Sequence, residues 1–220
     1  MQKKTVMIAG SSEGLGEALQ SRFEAGGYHV VAVSRHGKGH VHTDLTDAHA
    51  TASLFDALDP TKPLAGVIHN AMQFHREAFL ETSPEVFEQV WRSMLLTAVH
   101  MAQQAIPRLR AQGGGCLLFS GASGSMRAGP LFSAFSSANF ALRGLAQALT
   151  REHTADGIHV VHTILDGLIW SEKTQQRFTS AHETRSMAPA DLAQAYWQLF
   201  HQAPGTWTHE LDFRPFAATF

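Results

Sequence analysis

The chain has 220 residues, a size that suits one domain with a substantial core. Hydrophobic residues make up 44% and charged residues 16%, which excludes a disordered or fibrous chain. The formal net charge of −2 provides no basic field for nucleic acid or for anionic lipid. No stretch approaches the roughly 18 apolar residues of a membrane span, and the apolar run behind Lys3 and Lys4 is too short for a secretory signal. Cys116 is the only cysteine, so neither a disulfide framework nor a thiolate metal site is expected, and the cytoplasm is the expected compartment.

In chain order, the period of apolar residues alternates between strand and helix. The run 5–9 is β-branched and apolar and is closed by Gly10. Leu15, Leu19 and Phe23 recur four apart in a helix over 13–25, which Gly26 and Gly27 stop. Strands follow at 28–34 and 40–43, then a helix at 47–58 and a strand at 64–69. Ser83-Pro84 opens a long helix to about residue 111, because serine can cap and proline suits the first helical position. A strand at 116–120, a helix at 132–153, a strand at 158–165, a helix at 189–201 and a strand at 207–211 complete the pattern. Such alternation predicts one domain, 1–220, built on a parallel sheet of about seven strands with helices on both faces. Ligands of such sheets bind beyond the carboxyl ends of the strands, where the strand order reverses.

Histidine is common, with 14 residues. His36, His40 and His42 cluster, but no third or fourth ligand accompanies the pair at 40 and 42, so no metal site is expected.

The first strand-to-helix turn reads Ala9-Gly10-Ser11-Ser12-Glu13-Gly14-Leu15-Gly16. Glycines there let the backbone approach a pyrophosphate, and the helix N-terminus offers free N–H groups and a favourable dipole. With its strand–turn–helix setting, this turn resembles the glycine motif of the short-chain dehydrogenase/reductase family. Asp44-Leu45 is similar to that family's pair at the adenine ring. Asn70-Ala71-Met72 resembles its Asn-Ala-Gly signature, with methionine for glycine. Asp166-Gly167-Leu168-Ile169 resembles its Pro-Gly motif beside the nicotinamide, with aspartate for proline.

The resemblance implies a Rossmann-type doubly wound α/β fold and a bound dinucleotide. Its cofactor contacts would come from Gly10, Ser12, Gly14, Leu15, Gly16, Asp44, Leu45, Asn70, Ala71, Gly167 and Ile169. After the second strand stands Ser34-Arg35-His36, where a carboxylate would bind a ribose 2′-OH and an arginine a 2′-phosphate. Arg35 therefore favours NADP(H), with NAD(H) as the alternative; Glu13 in the loop argues mildly against a second phosphate nearby.

In relatives the chemistry uses a serine and a tyrosine at the substrate carbonyl, a lysine four residues beyond the tyrosine, and an asparagine on the preceding long helix. Tyrosine is the general acid, and lysine lowers its pKa and holds the ribose. Here Tyr-x-x-x-Lys aligns with Phe135-Ser136-Ser137-Ala138-Asn139, the asparagine with Met94, and the serine with Ala122 or Ser123. Asn139 has no charge but can still offer a hydrogen bond to a ribose. The only tyrosines are Tyr28 and Tyr196, and no lysine lies between Lys62 and Lys173. Ser123, His69, His75, Arg76 and Asp166 are the substitute acid–base or binding candidates, each with a plain structural alternative. Three readings stay open: an oxidoreductase on a small carbonyl or alcohol by a non-standard or residual route, an inactive nucleotide-binding sensor or partner subunit, and, least favoured because of the glycine loop, an interaction scaffold that binds no nucleotide. The segment 168–187 is expected to cover the pocket, with Trp170 and Phe178 as apolar walls. Phe87, Val90, Trp91, Leu95, Phe140, Leu142, Leu145 and Leu149 on the two long helices lead to the expectation of a homodimer or homotetramer.

Overall fold

The computed structural model describes residues 3–35, 41–178 and 182–217. Seven parallel strands form one sheet: β1 (Thr5–Ala9), β2 (His29–Ser34), β3 (Val41–His42), β4 (Leu64–His69), β5 (Gly115–Ala122), β6 (Ile158–Leu165) and β7 (Glu210–Phe213). Their order is β3-β2-β1-β4-β5-β6-β7. The order reverses between β1 and β4, which pair in register from Val6↔Gly66 to Ala9↔His69. That is the switch point at which a crevice opens in this architecture.

The central strands are apolar without interruption because helices cover both faces. Successive side chains of β1 point to opposite sides. Val6 and Ile8 join Leu19 and Phe23 of α1 (Leu15–Ala25) and Tyr196 and Leu199 of α7 (Pro189–Phe200). Met7 and Ala9 join Phe55 of α2 (Ala48–Asp56), Met101 and Ala105 of α4 (Thr97–Ala111) and Leu142 of α5 (Ser133–His153). Each large side chain buried this way contributes roughly 1.5–3 kcal/mol of transfer free energy. Among the described residues, no helix is long and apolar enough to cross a membrane, and no group of three or more histidines, cysteines and carboxylates is placed to hold a metal ion. His36 and His40 lie outside the described residues.

Three elements differ from the sequence expectation. The long helix is α3 (Pro84–Trp91), a π-helical segment Arg92–Leu96, and α4, in one run. The last strand begins at Glu210, not at 207, because Pro204–Thr206 forms a tight turn and Trp207 stacks on His159 with ring centroids 4.9 Å apart. The segment after β6 contains a short helix, α6 (Glu172–Arg177), with the Ser171 Oγ accepting from the Thr174 N–H at 3.1 Å.

Candidate functional site

The glycine loop sits at the carboxyl end of β1, and its three glycines act differently. Gly10 has φ of +77°, and a Cβ there would stand 2.5 Å from the backbone oxygen of Asn70. A Cβ on Gly16 would stand 2.5 Å from the backbone oxygen of Gly10. These two allow the loop to pack against β4 and against α1. Gly14, at φ +91°, meets nothing nearer than the Ser171 Cβ at 3.5 Å, and it caps α1 with no side chain on the free N–H groups. The start of α1 therefore offers uncapped backbone N–H groups, the kind of anchor that a pyrophosphate takes. Glu13 turns away and accepts from the Lys173 N–H at 3.2 Å, which ties the loop to α6.

Around the loop, Asn70 donates through its side-chain amide to Gly10 O at 3.2 Å and through its backbone to Ala9 O at 2.8 Å. This seats Asn70-Ala71 across the β1–β4 switch. Arg35 is exposed at the end of β2. Asp44 spends one carboxylate oxygen on the Thr46 N–H and hydroxyl, at 2.9 and 2.8 Å, while Leu45 is buried.

Of the residues that the resemblance sets at the family's reacting positions, Met94, Phe135 and Asn139 are buried, and only Asn139 and Ser123 are polar. Met94, on the π-helical segment, is 1% exposed and joins Val90, Ala122, Ala134, Phe135 and Ala138 in one apolar cluster. Phe135 is buried except for its face on an adjoining cleft. Asn139 is fully buried: its Oδ1 accepts from the Ala122 N–H at 3.0 Å, and its Nδ2 donates to Phe135 O at 2.9 Å. Expected to offer itself to a ribose, it instead ties β5 to α5 and exposes no atom. Ser123 starts a short turn, half-buried on the cleft. Tyr196 does not replace the missing tyrosine. It lies within the core, hydrogen-bonded to Ser120 and Thr163, and burial pushes its phenol up to about 12.

The cleft, of about 540 Å³, lies between β5, the turn after it, and the segment after β6. Phe74, Phe132, Phe135 and Phe178 line it, as do Ser123 and Ser136, the latter a buried hydroxyl with no hydrogen-bond partner. Phe178 is a wall as expected; Trp170 is not among the lining residues. Gly167 and Ile169 border the cleft, and Met187 pairs back on Ile169. Asp166 neither stands free nor caps its own turn. Arg127 donates to both of its oxygens at 3.0 and 2.9 Å, and Arg214 Nε stands 3.0 Å from Oδ2. Phe74, Arg127 and Arg177 escaped sequence reasoning: each follows a strand by several residues, and no spacing marks it.

The remaining candidates have structural roles. His69 is fully buried, with Nε2 2.8 Å from the Thr97 hydroxyl, and burial drives its pKa down to about 4. Because Thr97 donates to Ser93 O, His69 is the donor to Thr97, and its Nδ1 has no partner. His75 pairs with Glu77 at 3.2 Å, and Arg76 lies over the Phe132 ring.

A doubly wound sheet with a bare-backbone glycine loop at its switch point and a small-molecule cleft beside it defines a Rossmann-type ligand-binding domain. Residues 4–181 match the family described as short chain dehydrogenase, and the chain belongs to that family. It is 27% identical over 180 residues to the 3-oxoacyl-(acyl-carrier-protein) reductase MabA of Mycobacterium tuberculosis, covering 78% of this chain and 72% of that one. A short-chain dehydrogenase from Rhodopseudomonas palustris superposes with a TM-score of 0.84 at 29% identity, covering 97% of this chain and 99% of the other. A tyrosine-to-phenylalanine variant of ElxO with NADPH bound superposes at 0.86 with 19% identity, covering 96% of each chain.

Proposed function

We propose that this chain binds NADP(H) in the crevice over β1 and β4 and acts as an oxidoreductase on a small carbonyl or alcohol held in the adjoining cleft, without the tyrosine–lysine route. The observation that carries the reading is the uncapped N-terminus of α1 behind Gly14, beside a cleft that reaches Gly167 and Ile169. In this reading Gly10, Ser12, Gly14, Leu15 and Gly16 hold the pyrophosphate. Asp44 and Leu45 meet the adenine, Asn70 and Ala71 flank the ribose, and Gly167 and Ile169 seat the nicotinamide. Arg35 pairs with the 2′-phosphate. The bound cofactor supplies or accepts the hydride. The Ser123 hydroxyl would donate a hydrogen bond to the substrate oxygen, and water would give or take the proton, because Phe135 has none to give. The rate then comes from positioning, without the 10²–10⁴-fold that a placed acid typically adds. The ElxO variant supports the reading, because that protein, of the same fold and with phenylalanine for one tyrosine, holds NADPH.

A second reading, a nucleotide-binding sensor or partner subunit without turnover, is favoured by the apolar packing of Met94 and Phe135 and the engaged amide of Asn139. Turnover of a carbonyl panel with NADPH, run on the chain and on Phe135→Tyr/Asn139→Lys, separates the two. Slow turnover that the double variant raises by about 10²-fold or more supports the oxidoreductase. A double variant that binds NADPH and stays inert supports the sensor. We also propose self-association through α3–α5. Val90 and Leu142 are buried within the chain, but Trp91 and Phe140 remain 42% and 44% exposed; a monomer in sedimentation at micromolar concentration contradicts it.

A further inference from the structure

The cleft has an uneven chemistry. One wall is phenylalanine alone: Phe74 meets Phe132, Phe135 and Phe178 at ring-centroid distances of 5.8, 5.5 and 5.7 Å. None of these rings has a hydrogen-bonding group, so the body of an occupant must be apolar. The charged residues on the same cleft are two arginines and one aspartate: Arg127, Arg177 and Asp166. Asp166 is already held by Arg127 and, from outside the cleft, by Arg214. Its charge is therefore matched before any ligand arrives. Arg177 is different. Its guanidinium lies 5.0 Å from the centroid of Phe74, and among the described residues it makes no ion pair. A guanidinium stacked on a ring keeps its planar N–H fork for an anion.

We propose that the cleft takes a ligand with an apolar body and one carboxylate, the body on the phenylalanine wall and the carboxylate at Arg177, with Arg127 as the second cation. The inference rests on the reading that NADP(H) fills the neighbouring crevice, since the cofactor then forms the inner end of the cleft. A neutral analogue loses the charge-assisted hydrogen bonds to Arg177. A cationic one meets two guanidiniums and only one carboxylate, already paired.

Calorimetric titration of the chain saturated with NADPH, using 3-phenylpropionate, 3-phenylpropionamide and phenethylammonium, tests this. The carboxylate is expected to bind about ten-fold or more tightly than the amide, and the ammonium more weakly than either. Arg177→Met should bring the carboxylate to within about three-fold of the amide and leave the affinities for the amide and for NADPH as they were. Equal binding of carboxylate and amide, a preference that survives both Arg177→Met and Arg127→Gln, or no binding of either probe overturns the inference. A prior titration with NADPH separates the two failures. Carboxylate preference in a chain that binds no NADPH removes the crevice reading and leaves this one, whereas bound NADPH without the preference does the reverse.

Discussion

Two regions share the carboxyl edge of the sheet, and they keep different kinds of information. Over β1 and β4, what matters is backbone: Gly10 and Gly16 admit no Cβ, Gly14 leaves the start of α1 bare, and Asn70 ties the switch together. Over β5 and α5, what matters is side-chain packing: Phe135 and Met94 share one apolar cluster, and the Asn139 amide ties β5 to α5. The contrast has a physical cause. A buried polar network missing one member leaves its other groups unpaired, at about 1–3 kcal/mol each. In a site without the lysine that the family resemblance implies, methionine and phenylalanine would pack the space at less cost than an orphaned asparagine and tyrosine. The glycine loop has no such alternative, because any side chain at Gly10 or Gly16 collides with backbone.

The largest expected effect breaks the first region. Gly16→Val drives a Cβ into the Gly10 carbonyl and should cost roughly 3–5 kcal/mol in urea unfolding; an unchanged midpoint would mean that the loop does not pack as described. Next is the pH dependence stored in His69, buried next to the switch. Its pKa is 6.5 unfolded and about 4 in the fold, so the unfolded chain binds more protons between those values. Its contribution is complete above pH 6.5 and is lost as the pH falls to 4, by on the order of 3 kcal/mol. His69→Gln, which keeps a donor for Thr97, should remove that part of the acid slope in unfolding measured from pH 7 to 4. His159 and His162, also held low by burial, act with the same sign in both proteins and cancel in the difference. A slope identical to the parent's would contradict the buried, neutral imidazole. Third, Arg35→Gln should weaken NADPH about 10–100-fold and leave NADH little changed, the size of a lost charge-assisted phosphate contact. Equal loss of both nucleotides in fluorescence titrations would take Arg35 away from the 2′-phosphate. The smallest effect belongs to the second region. Asp166→Asn should cost about 1 kcal/mol in stability, since Arg127 and Arg214 are partly exposed partners.

Much of the first region was legible because its signals are local. Leu15, Leu19 and Phe23 mark α1 by their spacing, and the three glycines fall between a strand and a helix. The sheet was legible from its long apolar runs. The second region was legible only as an expected absence, of the tyrosine and lysine that the family resemblance places at Phe135 and Asn139. What replaced them depends on contacts far apart in sequence. Asp166 meets Arg127 and Arg214 across three elements, Asn139 reaches back to Ala122, and Phe74 meets Phe178 from another strand's exit. The π-helical turn at Met94 and the shifted start of β7 leave no trace in periodicity, because each is set by packing against neighbours.

On the proposed reading, the backbone crevice over β1 and β4 binds NADP(H) although Phe135, Met94 and Asn139 offer no acid–base group. Titration of the purified chain with NADPH and, separately, NADH, followed by nucleotide fluorescence, tests it most directly. Saturable binding with NADPH the tighter of the two is the predicted result. Absence of binding by either nucleotide would contradict it and leave a fold that outlived its cofactor.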